Sequence, residues 1–490
     1  MKALTKRELK DSIFLNVPKL AEILFPDDVL PFPIDKDLLH SLSLYNEQSQ
    51  QWDYFSSNCK RKRIDSEKCF ATFLNQICTS LCKAKAGEGV VPQSPSMCRR
   101  LWSANHCTRP IRGPGPKRKP DVILVDAIST LEPRSWGSVL SVGEITSKKF
   151  NASLRQTLIS KAYLMFREQE DRRFVVNIAL CGQSLHIGLF DRAGVCFSEG
   201  YDIHSCPQVL LRTVVGLLFA SQSAFGFDPT ITTSNGARQV TVIETYTIQK
   251  TLFRSNSLRG RATICWHAKK DGKDYVIKDT WADTARPQSE KRILDKLRDV
   301  EGVPRAKEEK IINLDGKLDS TDCRRTLSGR RPSGPAQKRF RCLENRVHVR
   351  LVLEPFAIPI WDFATKRELI SVFIDIVRST FTSFVLTSNV TLPISVHERL
   401  INDKQILHRD ISLNNVMIYT PEPSETTTLP AAKEEGIRRG MIIDMDYALD
   451  ENQEIGGEIV PLYTLDTEGL PVMFNGVAGQ VTPGHRTVSS

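Results

Sequence analysis

The 490-residue sequence lacks the features of a membrane-spanning or disulfide-stabilised protein. Its most apolar stretch, residues 209–220, is interrupted by Arg212 and is too short to cross a bilayer. The first residues, MKALTKRELKDSIF, hold neither an apolar signal core nor a small-residue cleavage site. Twelve cysteines are scattered with no CxxC pair, which is typical of free intracellular thiols. The sequence therefore predicts an intracellular protein, in the cytoplasm or nucleus and not secreted, with no membrane partner.

Acidic residues are scarce in one segment, which carries most of the net charge of +10. Residues 324–350 contain nine Lys or Arg and a single acid, Glu344. Glycine and proline interrupt this segment, and it shows almost no apolar periodicity. Such a pattern favours a solvated basic insertion, placed at residues 315–346, over a shaped nucleic-acid-binding face. A nucleic-acid partner is therefore not expected.

The chain divides into three predicted regions. Residues 1–115 mix short helical patterns with polar stretches and end at a Gly-Pro-Gly-Pro sequence. Residues 116–235 alternate buried-strand patterns with amphipathic helices, which predicts a mixed α/β domain. The polar stretch at 228–240 is the best candidate for a boundary. Residues 241–490 then show strands, one helix, further strands and a helical region.

One short motif in the third region carries a specific chemistry. His408, Arg409 and Asp410, followed by Asn415, reproduce the pattern H-R-D-x-x-x-x-N of phosphotransferase catalytic loops. In that chemistry one carboxylate accepts the proton of the substrate hydroxyl, while an amide five residues later binds a metal ion beside the phosphates. Asp410 is therefore predicted to be the catalytic base and Asn415 a metal ligand.

Further positions along the chain complete the set of residues that this chemistry requires. Asp444 ends an apolar run after the catalytic loop and is predicted to bind the metal between the β- and γ-phosphates. Lys278 closes Tyr-Val-Ile-Lys, which resembles the strand lysine that binds the α- and β-phosphates, and Glu290 lies on the next helix as its partner. A loop over the phosphates is expected around Gly260, Ala262 and Thr263, although only its first glycine fits G-x-G-x-x-G.

These phrases, together with Arg-Leu-Val-Leu-Glu at 350–354 and Ile-Asp-Met-Asp at 443–446, resemble the fungal-type protein kinase family. The resemblance extends from about residue 120. It implies an α+β fold class, in which a mixed α/β N-terminal domain precedes a bilobal protein-kinase-like domain. It also implies an N-lobe at about 245–356, a C-lobe from 357, and an adenine-binding hinge that includes Glu354 and Phe356.

The activity implied by this resemblance is transfer of the ATP γ-phosphate to Ser or Thr hydroxyls of a protein substrate, with Mg²⁺ as cofactor. The sequence departs from the family after Asp444. Only 46 residues follow it, and Gly-His-Arg-Thr at 484–487 resembles the approach to a substrate-positioning loop. An incomplete C-lobe at 357–490 is therefore expected.

Two alternatives remain open. The first is a catalytically inactive pseudokinase or binding module, because an incomplete C-lobe would leave the catalytic loop poorly supported. The second is metal-dependent nuclease activity of the 116–235 domain, where Asp121 and Glu144 resemble a P-D…(D/E)-x-K arrangement. Thr146 takes the lysine position of that motif, and Lys148 is expected on the same strand face as Glu144.

Overall fold

The structure is a computed structural model. It describes residues 2–52, 63–86, 100–113, 115–126, 135–285, 289–325, 344–377, 396–421 and 438–450. The motif at 484–487 and three parts of the predicted C-lobe, residues 378–395, 422–437 and 451–490, lie outside these ranges. Within them, no helix combines the length and hydropathy needed to cross a bilayer.

The described residues form both helices and strands. The helices are α1 (Lys2–Glu8), α2 (Leu20–Leu24), α3 (Lys36–Ser41), α4 (Arg63–Ala86), α5 (Ala152–Glu168), α6 (Pro207–Phe219), α7 (Glu290–Lys296), α8 (Lys366–Val377) and α9 (Val396–Glu398). The strands up to residue 241 are β1 (Ile13–Val17), β2 (Tyr45–Asn46), β3 (Gln51–Trp52), β4 (Arg100–Ser103), β5 (Val122–Asp126), β6 (Val139–Thr146), β7 (Val175–Cys181), β8 (Ser184–Asp191), β9 (Gly194–Ser198), β10 (Tyr201–Asp202), β11 (Ile231–Ser234) and β12 (Ala237–Thr241). They are followed by β13 (Thr245–Arg254), β14 (Ile264–Lys270), β15 (Lys273–Asp283), β16 (Arg305–Ile311), β17 (Asn313–Leu314), β18 (Lys317–Leu318), β19 (Arg346–Glu354), β20 (Ala357–Pro359), β21 (Ile406–Leu407), β22 (Val416–Tyr419), β23 (Arg439–Ile442) and β24 (Leu449–Asp450). Sheets and helices of this kind confirm the α+β fold class.

The first large sheet has the strand order β1-β9-β8-β7-β6-β5-β4, with β10 beside β8. Helices cover both of its faces, which is why all seven residues of β7 are buried. On one face Leu158 and Met165 of α5 lie in the core, and on the other Phe73 of α4 and Leu210 of α6 do so. The side chain of Asn151 caps α5 by accepting hydrogen bonds from the two backbone N–H groups at 153 and 154.

The N-terminal region packs onto this sheet. Strand β1 pairs in parallel with β9, and β4 pairs with β5 at the opposite edge. Trp52 is fully buried, and its indole N–H donates a hydrogen bond of 2.7 Å to the carbonyl of Ile203. Residues 1–115 and 116–235 therefore contribute strands to one sheet and side chains to one core.

The second large sheet is antiparallel throughout, with the order β11-β12-β13-β14-β15-β19-β16. Strands β14 and β15 are joined by a tight turn at Asp271 and Gly272, which have positive φ of 50° and 78°, as a two-residue hairpin turn requires. The polar stretch at 228–240 is not an open linker, because it holds β11 and most of β12 at the edge of this sheet. Helix α7 packs against β16 and is capped by Ser289, whose hydroxyl accepts from the N–H of Arg292.

Buried charges fill the junction between the two large sheets. Arg350 is fully buried and donates to Asp279 and Asp228, each at 2.7 Å. His348 lies between Asp279, at 3.0 Å, and Asp319, at 2.9 Å. Since Asp228 precedes the second sheet and Asp279 lies at its centre, this network ties the two parts of the chain together.

The prediction of a solvated basic insertion is wrong at its ends, because the arginines there are buried. Its flanking arginines are buried and paired: Arg324 with Asp319, Arg325 with Asp191, and Arg346 with the carbonyl of Trp281. A buried guanidinium is tolerated only when carboxylates or carbonyls satisfy it. Residues 326–343 lie outside the described ranges, so the solvated character of that part stays a prediction.

The environment of His348 predicts a pH-dependent stability. Burial opposes its charge, but Asp279 and Asp319 outweigh burial and raise the pKa of His348 to about 9, from 6.5. Trp281 stacks on the ring at 4.7 Å, and the cations that share its two aspartates are Arg350, Arg324 and Arg173. A raised folded-state pKa gives stability that is complete below pH 6.5 and is lost as the pH rises through 9.

We expect the loss to be about 3 kcal/mol between pH 6 and pH 9.5. Urea unfolding of the wild type and of His348→Gln across this range measures it. The variant should be the less stable protein at pH 6, and the difference between the two should shrink as the pH rises. Parallel pH profiles for the two proteins would contradict the assignment.

Candidate active site

Lys278 and Glu290 form a buried ion pair. Lys278 lies on β15 between Cys265 of β14 and Leu351 of β19, and Glu290 begins α7. Lys278 Nζ lies 2.7 Å from a carboxylate oxygen of Glu290, and the two side chains are 5% and 7% exposed. The predicted partners therefore meet in the structure. Their roles in binding ATP stay predictions.

Two aspartates converge on the same ammonium group. Lys278 Nζ lies 2.5 Å from Asp444 and 2.8 Å from Asp446. One oxygen from each of Glu290, Asp444 and Asp446 lies within 4.8 Å of the others. Carboxylate oxygens are the ligands that Mg²⁺ prefers, so Asp444 and Asp446 fit a magnesium site in their chemistry.

The cluster holds more negative than positive charge. Burial raises the pKa of Glu290 to about 7 in spite of Lys278. Burial also opposes ionisation of Asp446, but Lys278 and Arg261 outweigh it and lower the pKa of Asp446 to about 2. With a pKa of about 7, Glu290 is only partly ionised at neutral pH, and a divalent cation would stabilise the fully ionised cluster.

His408 links the catalytic loop to the strand before Asp444. Its ring is buried, and Nε2 lies 3.0 Å from the carbonyl of Ile443, while Nδ1 accepts from the N–H of Asp410 at 3.2 Å. These contacts fit a neutral ring that carries its proton on Nε2. Burial lowers the pKa of His408 and so favours that neutral form. Ile443 also donates its N–H to the carbonyl of Asn415 at 3.0 Å.

Asp410 is exposed at the end of this link. Asn415 Nδ2 donates to the carbonyl of Asp410 at 2.8 Å and approaches its carboxylate at 3.3 Å. Arg409 is also exposed, and both Arg409 and Asp444 have φ of 67°. A left-handed backbone costs about 1 kcal/mol or more outside glycine and is found at functional sites. The bonds at Ile443 and His408 hold this strained arrangement in place.

The loop between β13 and β14 reaches the cluster through Arg261, a residue that the glycine-loop pattern does not include. Arg261 contacts Asp446 and lies 3.8 Å from Asp444. Gly260 has φ of 113° and donates its N–H to the carbonyl of Arg192 at 2.8 Å. Ala262 and Thr263, the next two residues of the loop, are buried. Nothing in a glycine-loop pattern identifies an intervening arginine as a partner of a distant carboxylate.

The predicted hinge lies at the end of β19. Glu354 is the last residue of that strand, and its carboxylate lies 3.7 Å from Arg305 Nε. Phe356 stacks on His267 of β14 with ring centroids 4.3 Å apart. The side chains of both predicted hinge residues thus contact neighbouring strands, and contact with adenine stays a prediction.

The nuclease-like residues of the first sheet form a closed pair instead of an open site. Lys148 is exposed beyond the end of β6, so its predicted place on the strand face of Glu144 is wrong. Lys161 of α5 contacts Glu144 instead, and their side chains are 1% and 8% exposed. Asp121 accepts from the N–H of Ile145 at 2.8 Å. Buried groups that satisfy one another do not form an accessible metal centre.

The comparison with protein families identifies the family of this chain. A family model described as fungal protein kinase matches residues 119–460, well over half of the chain. The matched segment includes the described part of the first sheet from β5 onward as well as the second sheet and the catalytic loop. None of the curated protein sequences gives a significant match. The chain therefore belongs to the fungal protein kinase family.

Proposed function

We propose that this chain is an ATP-dependent protein kinase that transfers the γ-phosphate to Ser or Thr hydroxyls of an intracellular protein. The main observation in support is that Lys278, Glu290 and Asp444 converge. The hydrogen bond between His408 and the carbonyl of Ile443 connects this group to the loop of Asp410. A cation for phosphates, a carboxylate for the metal and an exposed base are the parts that phosphoryl transfer requires. The second sheet would be the N-lobe of a bilobal kinase fold, and β20 to β24 would begin its C-lobe.

Each group has a distinct task in this proposal. Lys278, oriented by Glu290, would hold the α- and β-phosphates, and Gly260, Ala262 and Thr263 would line the phosphate side of the nucleotide. Asn415 and Asp444 would hold Mg²⁺, which supplies charge neutralisation at the phosphates when it is bound. Asp410, exposed beside Asn415, would accept the proton of the substrate hydroxyl.

A nucleotide-binding module without catalysis is the second candidate. The observation that favours it is Arg261, which engages the carboxylate cluster from a loop with only the first of the expected glycines. Such a site can bind a nucleotide without aligning its γ-phosphate. The two candidates share ATP binding and differ in phosphoryl transfer.

A thermal-shift titration combined with a transfer assay tests the proposal. MgATP at about 100 times its Kd should stabilise the wild type by about 2.7 kcal/mol. Asp444→Asn should lose the part of this effect that depends on Mg²⁺, with EDTA-treated wild type as the reference. Binding together with γ-phosphate transfer to a generic Ser/Thr protein substrate supports a kinase. Binding without transfer supports the module, and absence of both would refute the proposed function.

A further inference from the structure

The residues before Gly260 are anchored in the core of the first sheet. Leu258 is fully buried in the cluster that contains residues of α5. Arg192, which follows β8, donates to the carbonyls of Ser257 and Leu258 at 3.2 and 3.3 Å. The N–H of Gly260 donates a hydrogen bond of 2.8 Å to the carbonyl of Arg192. The loop backbone is therefore held in position by the upstream domain.

Arg261 follows this anchor and is fixed on its other side as well. Its carbonyl accepts from the N–H of Trp281 at 2.8 Å. Its side chain is 25% exposed, contacts Asp446 and lies 4.5 Å from the centre of the Tyr447 ring. With the backbone held at both sides, the guanidinium is the part of this residue that can change its partner.

Both the carboxylate cluster and a bound nucleotide would offer anionic partners to Arg261. Glu290, Asp444 and Asp446 present three carboxylates to Lys278 and Arg261. A nucleotide polyphosphate brings oxygens that match the fork of a guanidinium better than one carboxylate oxygen does. Ala262, with φ of 46°, replaces the second expected glycine, so backbone amides have less room to approach a phosphate. A long cationic side chain in the same loop would compensate.

We propose that Arg261 binds the polyphosphate of the nucleotide from this anchored loop, and that Asp446 is the partner it leaves when the nucleotide binds. The inference rests on the proposed ATP binding and extends it to a residue outside the kinase motifs. Asp446, freed from Arg261, becomes available to the metal beside Asp444.

Calorimetric titration of Arg261→Met with MgATP and with adenosine tests this role. We expect MgATP to bind roughly 10- to 100-fold more weakly than to the wild type, since a charged hydrogen-bonded contact is lost. Adenosine affinity should change less than about twofold, because adenosine has no phosphate. The matched control is Arg259→Met, which removes a loop arginine that faces Ala193 and Glu344 instead of the cluster. It should affect MgATP and adenosine equally.

A second measurement addresses the exchange with Asp446. In EDTA, Asp446→Asn should bind metal-free ATP more tightly than the wild type, because Arg261 is no longer held by a full charge. Its gain in ATP affinity on adding Mg²⁺ should be smaller than that of the wild type. If Arg261→Met does not fold, Arg261→Lys replaces it, with an expected loss of roughly 3- to 10-fold for MgATP alone.

The outcomes separate this inference from the proposed function. If the wild type binds MgATP and Arg261→Met binds it equally well, the role of Arg261 is overturned. The same holds if Arg261→Met loses as much affinity for adenosine as for MgATP. Neither outcome bears on the proposed function. An unchanged Mg²⁺ gain in Asp446→Asn overturns the exchange. Wild type that binds no MgATP overturns both the role of Arg261 and the proposed function.

Discussion

Replacement of Asp410 by Asn is expected to lower phosphoryl transfer by about 10²- to 10⁴-fold while leaving MgATP binding nearly unchanged. The carboxylate is exposed, and its described contact is the 3.3 Å approach of Asn415. The backbone N–H that bonds His408 is unaffected by the substitution. The variant therefore removes the proposed proton acceptor without disturbing the link to Ile443.

Initial rates of γ-phosphate transfer and calorimetry with MgATP measure the two quantities separately. Asp403→Asn is the matched control: this aspartate is also exposed, seven residues earlier, and lies 3.5 Å from Arg399 in an (i, i+4) pair. It should retain the wild-type rate, since exposed pairs of this kind contribute little. An Asp410→Asn rate equal to that of Asp403→Asn would remove Asp410 from the role of base.

Functional residues that lie close together in the sequence were predictable. His408, Asp410 and Asn415 lie within one short loop, so the spacing of the motif itself carries the geometry. Lys278 and Glu290 followed from the order of one strand and the next helix. The structure brings Lys278 and Glu290 together, and their chemical roles stay predictions.

Residues whose partners lie far away in sequence were not predictable. Arg261 meets Asp446 across 185 positions, and Arg173 meets Asp319 across 146. From sequence alone an arginine is assigned to the surface, because nothing local shows the carboxylate that permits its burial. The replacement of Lys148 by Lys161 beside Glu144 has the same cause, since α5 folds back over β6.

The edge hairpin at β11 and β12 was missed for a different reason. The burial of β11 shows no alternation, because its residues are exposed or half-buried at the sheet edge. Strand prediction depends on one face being apolar, and that signal is absent there. Backbone pairing with β13 through β12 forms these strands instead.

Replacement of Arg350 by Met is expected to destabilise the fold by about 3–5 kcal/mol, the largest stability effect we predict. The guanidinium is fully buried and bonds Asp228, Asp279 and the hydroxyl of Thr230, each at 2.7 Å. Methionine fills similar volume but leaves two buried carboxylates without this cation. Urea unfolding at pH 7 measures the change.

Arg298→Met is the matched control for Arg350→Met, because Arg298 is 66% exposed and pairs with Asp295 on the surface. Its effect should remain below about 1 kcal/mol. Adding Asp228→Asn to Arg350→Met should recover part of the lost stability, since it removes one of the stranded charges. Because Asp279 directly follows Lys278 on β15, the Arg350 variant should also weaken MgATP binding, whereas the Arg298 variant should not. Equal stabilities for the two variants would show that the junction between the sheets does not depend on this buried pairing.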